Sequence, residues 1–391
     1  MKLTLKRGKL QHLAGLLLTA GLLLTAGLTL TSSLATTLNA ASVQTDDSLR
    51  SVTCLAVSPD GKHVVSGGGS LLVVQRWDDL QVVQTFTVPI AQLHDAQFSA
   101  DGNSLLLAGG TPAEFGNVAL LSWPQLRVMW THQLSDDVLY SATFLTRASP
   151  LTQWRGWPEE MERSNLRAAP LSLRPSREHR PRIILTKTLN GSNRIAVAGH
   201  DHAVYVLDVE GGESSDAGTN ATDVAKLSSH SKPVTSVCVV GNSRLIASCS
   251  VDGTVRIWDE DSGQLARTLS NHLKAVRMIA VRPAVESRLP MLASVSDDRT
   301  LRLWQPTIGR MVRFKRLTSP ATAVAWNVTA DRVIVGTRDG SVVAVNPDDL
   351  SLQSLASACD AWVTELACHP TLRGVAVGDS NGNVKKLTLA E

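Results

Sequence analysis

The sequence predicts an all-β chain, a seven-bladed β-propeller of four-stranded antiparallel blades preceded by a signal segment. Three observations carry this. A unit of about 40–45 residues recurs between residues 51 and 391, which is the period of a propeller blade. Each unit is made of short runs of Val, Ile, Leu and Thr parted by Gly, Asp and Asn turns, the pattern of antiparallel strands. Helical periodicity is nearly absent. One blade cannot bury both of its faces; a radial ring covers each sheet with its neighbours and leaves only short edges.

Residues 1–41 come first and read as a targeting segment. Lys2, Lys6, Arg7 and Lys9 precede an uncharged run from Leu13 to Leu30, and no acid occurs before Asp46. A basic start, an apolar run and small residues at Ser33-Leu34-Ala35 or Ala40-Ala41-Ser42 make a secretory signal. The run is about 18 residues, near the minimum for a spanning helix, so the segment is either a cleaved signal or an uncleaved anchor. Either way residues 42–391 are expected in an exported compartment: the periplasm, the cell envelope or the medium. The setting resembles a bacterial envelope, with a eukaryotic secretory route as the alternative.

Of the 38 basic residues these four belong to the segment, which leaves 34 against 35 acids. That balance excludes a domain that holds nucleic acid by bulk charge. With 43% hydrophobic and 19% charged residues, the chain is neither disordered nor a multi-spanning membrane protein. The five cysteines show no metal-ligand spacing and read as small core residues. If any two are joined, the pair is Cys238 with Cys249, on successive predicted strands.

The repeating units follow in order. Val52–Trp77 begins VTCLAVSPDGKHVVSGG, and Asp95–Trp123 begins DAQFSADGNSLLLAGG, with Asp60-Gly61 and Asp101-Gly102 at the same first turn. Val138–Phe144 and Asn193–Asp208 are two halves of a third unit. Val234–Asp259 and Val276–Trp304 are the clearest, each with three strands, the last ending in Trp. Val324–Asn346 and Val363–Leu387 complete seven. The last unit stops after its third strand; by analogy with the propeller family that residues 250–259 resemble, residues 37–50 are expected to supply the fourth and clasp the ring.

SVDGTVRIWD at 250–259 resembles the signature of the WD-repeat family, the G-beta-type propellers. His230 and His272 match that family's His in the loop entering a blade. The resemblance implies two hydrogen-bonded tetrads: His230, Ser248, Asp252 and Trp258, then His272, Ser294, Asp298 and Trp304. A buried Asp needs hydrogen bonds, and His, Ser and the indole N–H can all donate to it. These groups read as glue within blades and not as catalysts. Asp201, Asp339 and Asn381 keep the Asp turn position in three other units without the Trp, while Trp77 and Trp123 stand in the first two without the Asp.

The chief departure is an insertion at 145–187, between the first and second strands of the third blade. It carries Trp154, Trp157 and an Arg/Pro stretch with Arg174, Arg177 and Arg180. Trp and Arg anchor interfaces, so these five are the candidate partner-binding residues, expected on the face opposite His230 and Asp252; the alternative is a solvated insertion. His200-Asp201-His202 suggests a metal, but Asp201 occupies the structural turn position. Cys368 and His369 are neighbours on a strand and point to opposite faces, a poor nucleophile and base. No nucleotide, hydrolase or metalloprotease fingerprint is present. The expectation is therefore a protein-interaction scaffold and not an enzyme, with no cofactor, metal, nucleic acid or small-molecule substrate, and membrane contact only through an uncleaved N-terminus. A ligand-binding or enzymatic propeller with a site at the channel mouth is the alternative.

Overall fold

The computed structural model describes residues 51–145, 193–209, 221–241, 243–284, 289–357 and 359–389. These form 27 strands in seven antiparallel sheets. The first sheet is β1 (Cys54–Val57), β2 (His63–Gly68), β3 (Leu71–Arg76) and β4 (Val82–Thr87). The second is β5 (Leu93–Phe98), β6 (Ser104–Thr111), β7 (Phe115–Ser122) and β8 (Val128–Ser135). The third is β9 (Leu139–Leu145), β10 (Asn193–Gly199), β11 (Ala203–Val209) and β12 (Ala221–Ser228). The fourth is β13 (Val234–Val239), β14 (Leu245–Ser250), β15 (Val255–Asp259) and β16 (Leu265–Leu269). The fifth is β17 (Val276–Val281), β18 (Leu292–Ser296), β19 (Thr300–Gln305) and β20 (Arg310–Arg316). The sixth is β21 (Ala321–Trp326), β22 (Val333–Thr337), β23 (Ser341–Val345) and β24 (Leu352–Ser357). The seventh shows β25 (Val363–Cys368), β26 (Gly374–Asp379) and β27 (Val384–Thr388). Within each sheet the strands lie in chain order.

The first strands of successive sheets are neighbours, and β25 returns to β1, so the sheets stand radially around a channel. Seven apolar clusters fill the seven gaps between consecutive sheets; the last gathers Val52, Leu55, Val64, Val73, Trp77 and Ala376 from the first and seventh. This explains the unbroken apolar runs of the second strands. A radial sheet is covered on both faces, so β18 and β22 are buried at every residue. The fourth strands form the rim, and β4 and β16 are mostly exposed.

The closing seam has its own contacts. Val52 N donates to Asp379 O at 3.0 Å. Lys386 Nζ donates to the carbonyls of Trp77 and Asp78 at 3.0 and 2.7 Å. His369 is buried; its Nε2–H donates to Gly61 O at 2.9 Å, and its Nδ1 accepts the amides of Thr371 and Leu372. The Trp77 ring lies 4.5 Å from the His369 ring. A Cβ on Gly378 would stand 2.5 Å from Val52, so only glycine allows this approach.

Residues 1–50, with the expected signal and closing strand, lie outside the described residues, as does 146–192, which joins β9 to β10. The possible Cys238–Cys249 bridge is corrected: all five thiols are free. Register is the reason, since Cys238 stands opposite Ala247, and Cys249 opposite Ser236.

Candidate functional site

One face of the ring carries the loops between sheets and the turns between second and third strands. The two WD-type constellations lie there, in the fourth and fifth sheets. Trp258 Nε1–H donates to Ser248 Oγ at 2.8 Å, Ser248 meets His230 Nε2 at 2.9 Å, and His230 Nδ1 meets Asp252 Oδ2 at 2.9 Å. The fifth sheet repeats this with Trp304, Ser294, His272 and Asp298 at 2.8, 2.7 and 2.9 Å. The arrangement is a relay. Only His among the other three members reaches the carboxylate, which corrects the expectation that Ser and Trp also donate to it. Asp252 instead takes Thr254 Oγ1 at 2.7 Å and the amides of Thr254 and Ser231.

The relay sets the charge state. A neutral imidazole with Nδ1–H gives every donor an acceptor: indole to hydroxyl, hydroxyl to Nε2, Nδ1–H to carboxylate. A second ring proton would strand the serine hydroxyl. Burial holds His230 and His272 below the usual imidazole range, against the pull of their Asp partners. Burial alone would raise Asp252 and Asp298, but the bonds from His and Thr outweigh it and hold both carboxyls well below the usual range. Below about pH 6.5 the unfolded chain protonates these imidazoles while the folded chain resists. Stability is therefore full above that pH and declines as pH falls through it, with a second decline below about pH 4 from the carboxyls. Thermal melts from pH 7.5 to about pH 3 should show both declines. Substituting His230 and His272 with Gln should flatten the first, and an unchanged slope in that variant would refute the assignment.

The other turns differ. Asp339 accepts Thr337 Oγ1 at 2.6 Å and Ser341 N at 3.2 Å, a self-contained turn. Asp201 accepts Lys226 Nζ at 2.8 Å and the Tyr205 hydroxyl. In the seventh sheet Asn381 keeps the turn position, before Gly382, while the carboxylate that takes the turn's amides is Asp379, 1% exposed and bonded to the amides of Asn381 and Asn383. Trp77 and Trp123 are also repositioned. Ile246 pairs with Trp258, but the equivalent Val64 and Leu105 pair with Gln75 and Leu121. Both tryptophans stand two residues beyond the relay position; Trp77 packs on His369 and Trp123 on Phe98.

Trp154, Trp157, Arg174, Arg177 and Arg180 lie outside the described residues. β9, the last described strand before them, ends at Leu145. His200 pairs with Asp137 at 2.8 Å. Among the described residues no three His, Cys, Asp or Glu side chains are grouped to hold a metal. Cys368 and His369 do not act together, since His369 is spent on the seam.

Two features escaped the sequence reading. The first is a patch on the turn-bearing face. Leu273 is 87% and Trp362 53% exposed. Between them Asp297 holds Arg277 at 2.5 Å and Arg338 at 3.3 Å, and the Arg338 guanidinium lies 4.9 Å above the Trp362 ring. Leu273 is fixed by its amide, which donates to Asp298 at 3.1 Å. Exposed Lys232, Lys274 and Arg299 surround this patch and have no acidic partner among the described residues. Acids on the same face gather elsewhere, with Glu114, Asp136 and Asp137 over the second and third sheets. There a hollow of about 720 Å³ is bordered by Asp201, Tyr205 and Lys226, already bonded to one another.

The second feature is the channel. Its cavity of about 610 Å³ brings Asp95 and Glu365 together from the second and seventh sheets. Burial raises the carboxyl of Asp95, and burial together with the charge of Asp95 raises that of Glu365 far above the usual range.

Three stretches, 42–74, 221–259 and 263–305, match the family described as WD domain, G-beta repeat. The chain is 42% identical over 62 residues to Lissencephaly-1 homolog of Caenorhabditis briggsae, covering 16% of each protein. It is 27% identical over 200 residues to WD repeat and HMG-box DNA-binding protein 1 of Xenopus laevis, covering 49% of this chain and 17% of that protein. It is 34% identical over 108 residues to Pre-mRNA-processing factor 19 homolog 2 of Arabidopsis thaliana, covering 27% and 19%. The chain thus spans less than a fifth of the length of each of these relatives.

Proposed function

Because the chain is a WD40 β-propeller, a fold known as a non-catalytic interaction module, we propose that it is a protein-interaction scaffold that docks its partner on the turn-bearing face across Leu273 and Trp362. The observation that carries this is the fixed Arg277–Asp297–Arg338 bridge between two exposed apolar side chains. Trp and Arg are the residues that dominate interface energies. Side chains already held by ion pairs and ring contact lose little freedom on docking. Lys232, Lys274 and Arg299, without an acidic partner among the described residues, favour a partner segment that is acidic with an apolar residue to cover the Trp362 ring.

The test is affinity capture by the full chain, by Trp362→Ala, by Arg338→Glu, and by a chain whose residues 147–186 are replaced with a short Gly-Ser turn. A partner kept by the last chain and weakened roughly a hundredfold in the two substituted chains, as for a hot-spot loss, supports the face. The melting temperature of Trp362→Ala should stay within a few degrees, since that ring is 53% exposed. A partner that ignores both substitutions and disappears with 147–186 would move the site to the insertion with Trp154 and Trp157.

A further inference from the structure

Five first strands carry the same irregularity: the register shifts between Leu93 and Asp95, Val234 and Ser236, Val276 and Met278, Ala321 and Ala323, and Val363 and Glu365. The residue after the shift therefore stands at one level of the channel in each sheet. Ser141, opposite Ala198 beside the shift at Gly199, takes this place in the third sheet. At this level three side chains accept an amide from the next sheet. Asp95 Oδ2 accepts Ala142 N at 2.9 Å, Ser141 Oγ accepts Val237 N at 3.3 Å, and Met278 Sδ accepts Val324 N at 3.4 Å.

Two polar members of the level are left over. Ser236 is 7% exposed, lines the cavity, and its hydroxyl has no hydrogen-bond partner among the described residues. Glu365 likewise has neither a hydrogen bond nor an ion pair for its carboxyl among the described residues. Among the described residues no ion pair to either carboxyl is formed. Arg277 is committed to Asp297, and Arg282, further along the cavity, donates to Ala330 O. His94 is held toward its neutral form by burial. Asp95 also accepts Ala96 N at 2.8 Å, so the carboxylate left without hydrogen bonds is that of Glu365, beside the charge of Asp95. A carboxylate so placed takes up either a proton or a cation.

We propose that the channel binds one hydrated divalent cation at this level, with Asp95 and Glu365 as its carboxylate ligands and the Ser236 hydroxyl beside them, tying the seventh sheet to the second across the closing seam. This stands apart from the docking surface. The donors are hard oxygens, which suit Ca²⁺, Mg²⁺ or Mn²⁺ and not a thiophilic metal. Two carboxylates do not make a cage, so the ion keeps water, for which the cavity of about 610 Å³ has room.

The test is calorimetric titration of the EDTA-stripped full chain with CaCl₂, MgCl₂ and MnCl₂, beside thermal melts. The expected result is one site per chain for at least one ion, with a higher melting temperature when it binds. Glu365→Gln should weaken that site at least roughly tenfold and remove the stabilisation, while melting no lower than wild type in EDTA. Ser236→Ala, a smaller change, should weaken it measurably and keeps the test open if the first variant does not fold. Absence of saturable binding by all three ions would overturn the proposal. So would binding unchanged in both variants, which would mean an adventitious ion only.

Discussion

An Asp252→Ala chain is expected to lose about 3 kcal/mol of stability, the cost of removing one partner of a buried charged network. The carboxylate is 5% exposed and its His230 partner fully buried. Its removal strands the His230 Nδ1–H, the Thr254 hydroxyl and the amides of Thr254 and Ser231 together. Each such buried donor costs about 1–3 kcal/mol when left alone, though relaxation and water recover part of the sum. The expected drop in melting temperature is about 5–10 °C. Asp298→Ala should match it, because Thr300 and Leu273 repeat the roles of Thr254 and Ser231. Asn in either place keeps an acceptor and should cost less. Partner binding should be nearly unchanged in Asp252→Ala at temperatures where it is folded. A melting temperature equal to wild type would show that the relay does not hold the sheet.

Trp77→Ala is expected to cost about 3–5 kcal/mol, the range for a buried aromatic cut to alanine. Trp77 is 4% exposed and sits in the seam, between His369 at 4.5 Å and the Lys386 ammonium at 5.6 Å from its ring. A Cβ on Gly374 would come within 2.6 Å of it, so the seventh sheet is shaped around this ring. Weakening this gap differs from weakening any other, because here the chain ends of the ring meet. Opening it bares the apolar faces of the first and seventh sheets, which invite association between chains. Size-exclusion chromatography at two concentrations should show association for Trp77→Ala and none for Trp123→Ala, which lies in a gap crossed by continuous chain. A monomeric Trp77→Ala chain with an unchanged melting temperature would mean that the seam is held elsewhere.

The relays were legible because they are periodic and local. Ser248, Asp252 and Trp258 fall within one hairpin and recur one blade later at Ser294, Asp298 and Trp304, so the resemblance to the WD repeat could be seen and the relays followed from it. The same habit of reading by spacing misplaced Trp77 and Trp123. A Trp two residues past its register looks alike in a degenerate repeat, and only strand pairing separates Gln75 from Trp77. Asn381 keeps the turn position, but the carboxylate that takes its amide is Asp379, two residues earlier, which spacing does not mark.

The patch and the channel level had no local signal. Leu273, Asp297, Arg338 and Trp362 come from three successive sheets, and nothing in the sequence of each marks it apart from an ordinary loop residue. Asp95 and Glu365 are single acids in apolar strands, as are many surface acids.

The sequence by itself determined the blade, its strands, its number of repeats and the two relays, because hydrogen bonds within a sheet and burial of both its faces act on residues close in the chain. Only the tertiary structure decided which side chains share the docking face, which stand together in the channel and how His369, Trp77 and Lys386 close the ring. Those groupings follow from wrapping seven sheets around one axis, and that wrapping makes neighbours of residues about 300 positions apart, as the Lys386–Trp77 contact shows.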